Sequence, residues 1–318
     1  MSTYRTFRNT DPPALADIWR SRAGQTGLAQ PVSVDLFEQS VFGKPHFDYD
    51  GLILAFEGDR PVGFAHAAFG PNATQDGIAV DKGVICLVMV RPDCRQAEVA
   101  AGLLERCETY LRRRGARVLY GGAAKPLDPF YLGLYGGSGL PGVLSSDGVA
   151  SDLFASRGYR EEDRTLLFRL ALGPFRTPVD RRHVQLRRQM IVQVNPDPPA
   201  RTWWEACVTA DFDLTRFEVT RRGAEPVLAR ATFRGMQPTI NSTPGRVAGL
   251  LDLDVAAAHR RSGLASFLLV ESFRQLARQG ITAVEAQAHR ANPASVAVCR
   301  KLGMEEIAQG IVFRKDLP

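Results

Sequence analysis

No apolar run in the 318-residue sequence approaches the roughly 20 residues needed to cross a bilayer. The opening residues, Met-Ser-Thr-Tyr-Arg, lack the basic start and apolar core of a secretory signal, so a cytoplasmic location with no membrane partner is expected. Cysteine is sparse: Cys86, Cys94, Cys107, Cys207 and Cys299 are odd in number and never spaced Cys-x-x-Cys, which argues against a disulfide framework and a structural zinc site. The five histidines show no metal-ligand spacing either, so no metal is expected. Interleaving of basic and aromatic residues is also missing. The arginines are dispersed, nucleic acid is not expected as a partner, and Arg181-Arg182 and Arg187-Arg188 read as a solvated face.

What is present suits a two-domain protein. The length fits two units of roughly 150 residues, and a hydrophobic content of 45% supplies two cores. The net charge of +6 is uneven: from Phe175 onward there are 21 Lys and Arg against 14 Asp and Glu. A basic second half suits a polyanionic ligand.

One segment occurs twice. Val90-Arg-Pro-Asp-Cys-Arg95-Gln-Ala-Glu98-Val-Ala100 aligns without gaps on Val255-Ala-Ala-Ala-His-Arg260-Arg261-Ser262-Gly263-Leu264-Ala265, at an offset of 165 residues. Each copy continues through an amphipathic pattern to a glycine suited to a helix end, Gly115 and Gly280. In the second copy a β-rich stretch, Val247 to Val255, runs into the glycine loop and then a helix carrying Leu264, Leu268, Leu269, Phe273 and Leu276. A strand, a short glycine loop and a helix start can hold a pyrophosphate, because free main-chain N–H groups and the helix dipole both favour anions there. Gly263 lets the backbone approach the oxygens, Ala265 keeps the next turn uncluttered, and Arg260 and Arg261 add charge.

Downstream, strand-like Ile281 to Ala288 leads into Asn292-Pro293-Ala-Ser295-Val-Ala-Val298-Cys299-Arg-Lys-Leu302-Gly303-Met304. Asn292 reads as a helix cap, Pro293 as the first helical residue and Gly303 as the stop. With both motifs in view, the sequence resembles the Gcn5-related N-acetyltransferase (GNAT) superfamily in a tandem form like that of mycothiol synthase-like enzymes. The first copy carries the second motif as Asp147-x-x-Ala150-x-x-Leu153-Phe154-x-x-Arg-Gly158-Tyr159.

The resemblance implies an α/β fold of two tandem acyl-CoA N-acyltransferase domains, each a mixed, mostly antiparallel sheet flanked by helices. The boundary is expected near Gly173 to Pro178, giving 1–173 and 174–318. It also implies that acetyl-CoA is the cosubstrate, held by Leu253, Asp254, Val255, the loop from Arg260 to Ala265, Asn292 and Ser295. A small-molecule or peptide amine would attack the thioester directly, in a monomer or a homodimer. A backbone N–H on Leu253 to Val255 would steady the oxyanion. Candidate general bases are Asp252, Asp254, Glu285 and His289. The family often has a Tyr where this sequence has Cys299; that thiol is either the acid for the departing thiolate or core packing. An acyl-CoA-binding regulatory module or a pseudoenzyme without turnover stays open at this stage.

Glu98 stands where the first copy would need its glycine, and a carboxylate facing a pyrophosphate costs several kcal/mol where solvent is partly excluded. The first domain is therefore expected to be structural or to shape the acceptor site. It carries an insertion near 125–145 that is rich in glycine and aromatics. The insertion lines an acceptor pocket with Phe130, Tyr131 and Tyr135, or it packs the domains together. Elsewhere the pattern predicts strands at Tyr4 to Phe7, Leu52 to Phe56, Val62 to Phe69, Val184 to Leu186, Phe217 to Thr220 and Val227 to Phe233. Helices are predicted at Pro12 to Arg22 and Pro199 to Ala210.

Overall fold

A computed structural model describes residues 2–173, 181–222, 226–236 and 245–317. Most of the expected joint, 174–180, and the centre of the turn before Pro226 lie outside the described residues. The first half runs β1 (Ser2–Thr6), α1 (Pro12–Arg20), α2 (Val34–Phe37), β2 (Leu52–Glu57), β3 (Arg60–Pro71), β4 (Ile78–Val90), α3 (Gln96–Arg113), β5 (Val118–Gly121), β6 (Val143–Leu144), α4 (Gly148–Ser156) and β7 (Arg160–Ala171). The second half runs α5 (Arg181–Gln189), β8 (Met190–Pro196), α6 (Trp203–Thr209), β9 (Leu214–Arg221), β10 (Ala229–Met236), β11 (Arg246–Val255), α7 (Leu264–Arg278), β12 (Ile281–His289), α8 (Pro293–Lys301) and β13 (Glu305–Asp316).

Repetition in the sequence becomes repetition of local structure. α3 and α7 bury Val99, Leu103 and Leu111, and Leu264, Leu268 and Leu276, on one stripe each. Both helices stop at glycines with positive φ, Gly115 and Gly280. Asp147 caps α4 by accepting from Ala150 N, as Asn292 caps α8 by accepting from Ser295 N.

Among the described residues all strands join one sheet in the order β1-β2-β3-β4-β5-β13-β7-β12-β11-β10-β9-β8, with β6 on β13. Among the described residues only β4 with β5 and β11 with β12 pair in parallel. The order shows an exchange: β13, last in the chain, lies against β5 of the first half, while β7 lies against β12 of the second. The two exchanged strands pair with each other at the centre, Thr165 opposite Gly310. Leu166 and Phe168 of β7 thus pack with Phe267, Phe273 and Val284 in the second half's core. Phe313 of β13 joins the first half's core and stacks on Phe154 at 5.4 Å. A cut at residue 173 divides the sequence, but the sheet runs across it.

Two local expectations are corrected. Val184 to Leu186 lies in the helix α5, not in a strand, because His183 and Leu186 are the buried pair at helical spacing and Val184 faces solvent; the strand begins at Met190. Phe130, Tyr131 and Tyr135 do not face a site between the halves; they fill the first half's core with Trp19 and Phe37.

That core also buries His66 at 1% exposure, with Nδ1 3.0 Å from the Tyr131 hydroxyl and the ring stacked on Phe130. Burial pushes its pKa down to about 3, far below the value of roughly 6.5 for a free imidazole. The unfolded chain therefore binds a proton that the folded chain refuses, so stability contributed above about pH 6.5 is lost as pH falls towards 3. Thermal melts from pH 7.5 to 4.5 are expected to fall faster for the wild type than for His66→Gln, by about 2 kcal/mol at the acid end. Parallel curves would mean that another group sets the acid limit.

Candidate active site

The parallel pairing of β11 with β12 runs from Arg246 opposite Ile281 to Gly249 opposite Glu285 and then stops. Beyond it, Leu250 to Val255 pair with β10 alone and Ala286 to His289 with β7 alone, so the strands separate and alternate peptide groups of each face a gap. A bulge marks the parting: Asp252 lies opposite Thr232 and Leu250 opposite Phe233, leaving Leu251 without a partner. The first half has the same bulge at Cys86, the residue 165 positions earlier.

The insertion of the first half crosses this parting. Gly137, Ser138 and Gly139 lie over β11 and β12, where Gln287 Nε2 donates to Gly139 O at 2.8 Å. Arg234, on β10, clamps the loop by donating to Gly137 O at 2.7 Å and Ser138 O at 3.0 Å. A Cβ on Gly249 would stand 3.0 Å from Ser138 Cα, so glycine there lets the loop lie close without displacing it.

At the far end of β11 a short 3-10 turn, Ala257–His259, leads to Arg260, to Arg261 at φ 58° and to Gly263 at φ 86°. Gly263 caps α7 without any side-chain acceptor, so the first-turn N–H groups face outward uncapped. Arg260 donates from Nε to Val255 O at 3.1 Å, and the Arg182 side chain from α5 passes the Cα of Gly263. Main chain, helix dipole and arginine together give this end of α7 the chemistry that favours an anion. Leu253 and Val255 lie half-buried along the gap, Asp254 is exposed, and the Asn292 carboxamide is engaged in capping Ser295.

The equivalent slot of the first half is filled by protein. Val88, Met89, Val90, Ala100, Asp147 and Ala150, the counterparts of Leu253, Asp254, Val255, Ala265, Asn292 and Ser295, enclose only about 10 Å³ together with Arg22 and Gln25. Arg22 donates to Val90 O at 3.1 Å and Gln25 to Asp147 Oδ2 at 3.0 Å. The loop has also become helix: α3 begins at Gln96, whose counterpart Arg261 still precedes α7, and Glu98 sits in the first turn beside Arg95. A carboxylate thus supplies the negative charge that the helix start favours.

A cavity of about 370 Å³ opens beside the parting, with walls from both halves. Asp128, Leu132, Ser138 and Leu140 come from the insertion, Arg201 and Trp204 from around α6, and Asp252, Gln287 and His289 from the parted strands. Asp252 accepts from Arg201 at 2.9 Å. Glu205 accepts from Arg201 and Arg216, and although burial opposes it, those contacts bring its pKa below the ordinary carboxylate value. Asp128 is buried against the Trp204 indole N–H at 3.3 Å, and burial pushes its pKa up. His289 holds Asp163 Oδ2 at 2.7 Å from Nδ1.

Two residues read from the sequence as catalytic are not brought to this cavity. Cys299 is 5% exposed in the second half's core, and burial pushes its thiol up to about 11. Glu285 lies beneath the insertion, its pKa raised by burial against the opposing influence of Arg169 and Arg234. Asp128, Thr165, Arg201 and Trp204 on the cavity, and Asp163 behind His289, carry no motif to mark them, because separate segments of the chain bring them together.

The sequence matches the acetyltransferase (GNAT) family at residues 14–134 and again at 186–304. The glucosamine N-acetyltransferase region of a fungal multi-domain GH3 β-N-acetylglucosaminidase superposes with a TM-score of 0.73 at 14% identity, over 99% of this chain and 38% of that one. A tandem GNAT protein from the clavulanic acid biosynthesis pathway gives 0.67 at 12% identity, over 99% and 98% of the two chains. A GCN5-related N-acetyltransferase from Sphaerobacter thermophilus gives 0.64 at 15%, over 99% and 95%. At such identities the likeness concerns the fold. No curated protein sequence matches the chain.

Proposed function

We propose that this chain, which belongs to the acetyltransferase (GNAT) family, transfers an acetyl group from acetyl-CoA to an amine at a single site, that of its second half. One observation carries the reading: β11 and β12 part beside an uncapped, left-handed Gly263, while the matching slot of the first half is filled by Arg22 and Gln25. In this reading the main chain from Arg261 to Ala265, with Arg260, Arg261 and Arg182, holds the pyrophosphate. The exposed edge of Leu250 to Val255 holds the pantetheine arm, and one of its N–H groups steadies the oxyanion. The amine reaches the thioester from the cavity, whose volume of about 370 Å³ suits a small molecule. Its apolar wall, Leu132, Leu140 and Trp204, keeps water away from the reacting carbon.

The test is release of free CoA thiol from acetyl-CoA over a panel of primary amines, run beside calorimetric titration of acetyl-CoA. An amino sugar belongs at the head of the panel, since the fungal neighbour's region is a glucosamine N-acetyltransferase. One bound acetyl-CoA per chain and amine-dependent thiol release are expected. Absence of binding would sink the reading, and binding without turnover of any amine would leave only a binding module. In the same assay Cys299→Ala is expected to keep kcat within about twofold while lowering stability by about 1–2 kcal/mol, the signature of a packed thiol. A large loss of kcat at unchanged stability would restore Cys299 as the acid.

A further inference from the structure

We propose that His289 is the general base of the transfer and Asp163 its positioning residue, a pair that exists only because the halves exchange strands. The inference rests on the acetyl-transfer reading above. His289 ends β12 and Asp163 lies on β7, the strand that the first half lends to the second. Oδ1 of Asp163 accepts from Arg164 N at 2.7 Å and Ala291 N at 3.4 Å, so main chain on both sides fixes the carboxylate. Oδ2 is left for His289 Nδ1 at 2.7 Å. A carboxylate only accepts, so Nδ1 is the ring atom that donates, and in the neutral ring Nε2 keeps its lone pair. The ring lines the cavity, and Nε2 has no hydrogen-bond partner among the described residues.

Of the other polar groups on the cavity, the hydroxyls of Ser138 and Thr165 are buried without a partner among the described residues but are too weakly basic to take a proton from an amine, and several of the charged groups are engaged. Arg201 holds Asp252 and Glu205, Trp204 donates to Asp128, and Lys125 donates to Leu251 O at 2.9 Å. The neighbouring Arg164 guanidinium turns away to Glu161 and Gln309. His289 thus lines the cavity as a base with an orienting partner on one ring nitrogen and an unused acceptor atom on the other.

The step balances without another acid. The amine nitrogen bonds to the thioester carbon and gives its proton to Nε2. On collapse the carbon–sulfur bond breaks, the electron pair leaves on sulfur, and the proton from Nε2 neutralises the thiolate. Amide and free thiol are the products, and Cys299 takes no part.

Bromoacetyl-CoA tests this without knowledge of the natural amine, since its reactive carbon occupies the place of the acetyl group. Nε2 would displace bromide and form a carbon–nitrogen bond, found by peptide mass spectrometry. Labelling of His289 is expected in the full-length protein. Asp163→Asn is expected to slow it at least tenfold, because the carboxamide N–H donates to Nδ1 and moves the ring proton to Nε2. Nitrogen NMR of the imidazole should show that change of tautomer, which a loss of packing alone would not produce. Acetyl-CoA affinity is measured on the same samples. Lost affinity would overturn the acetyl-transfer reading; retained affinity with the label on Asp128 or another residue, or with no label, would overturn the assignment of His289.

Discussion

Gly263→Glu is expected to weaken acetyl-CoA binding at least 100-fold, about 2.7 kcal/mol, and to reduce the calorimetric stoichiometry from one to zero. Two effects act together. At φ 86° any side chain costs about 1–2 kcal/mol, and a Cβ meets Arg182 Cδ at 3.2 Å, which a flexible arginine can relieve. The carboxylate then competes for the helix-start N–H groups that the pyrophosphate needs. Gly263→Asn separates the two, because asparagine tolerates the left-handed region and brings no charge; its affinity is expected within about tenfold of the wild type. The reverse change, Glu98→Gly, is expected to leave stoichiometry at one, because Arg22 and Gln25 still fill the slot and α3 still starts at Gln96. A second site appearing in Glu98→Gly would show that the one carboxylate, and not the filled slot, closes the first half.

The second large effect is expected from dividing the chain at residue 173. Each half alone should fail to give a cooperatively folding monomer, whereas the two expressed together should re-form a complex of native size and spectrum. Without β7 the second half loses Leu166 and Phe168 from its core and leaves the edge of β12 bare from Ala283 to His289. Without β13 the first half loses Phe313 and the partner of β5. Each buried side chain of this kind contributes about 1.5–3 kcal/mol, and the exposed strand edges add to the loss, against a total stability of about 5–15 kcal/mol for a domain. Circular dichroism melts and size-exclusion chromatography of the halves, alone and mixed, make the test. A half that melts alone like the intact protein would mean that the exchange is dispensable, and that the dyad of His289 and Asp163 is an accident of packing.

Where sequence and structure part company, the residues show why. Asn292 and Gly263 were legible because helix caps and left-handed turns depend on the residue itself and its near neighbours. Val184 to Leu186 is ambiguous in the sequence because three residues carry too little periodicity to separate helix from strand. Phe130, Tyr131 and Tyr135 suit either a pocket lining or packing, since aromatics in a glycine-rich loop are ambiguous until their surroundings are known.

By itself the sequence determined the two copies, the helix caps at Asp147 and Asn292, the left-handed glycine before α7 and its replacement by Glu98 in the first copy, all of which follow from short-range pattern. Only the tertiary structure decided which half receives β7 and β13, that Arg22 and Gln25 fill one slot, and that Asp163 meets His289 across 126 positions of chain. Those outcomes depend on which apolar faces and strand edges find each other when both cores close. Such pairings are selected by burial summed over the whole sheet, and no local stretch of residues encodes them.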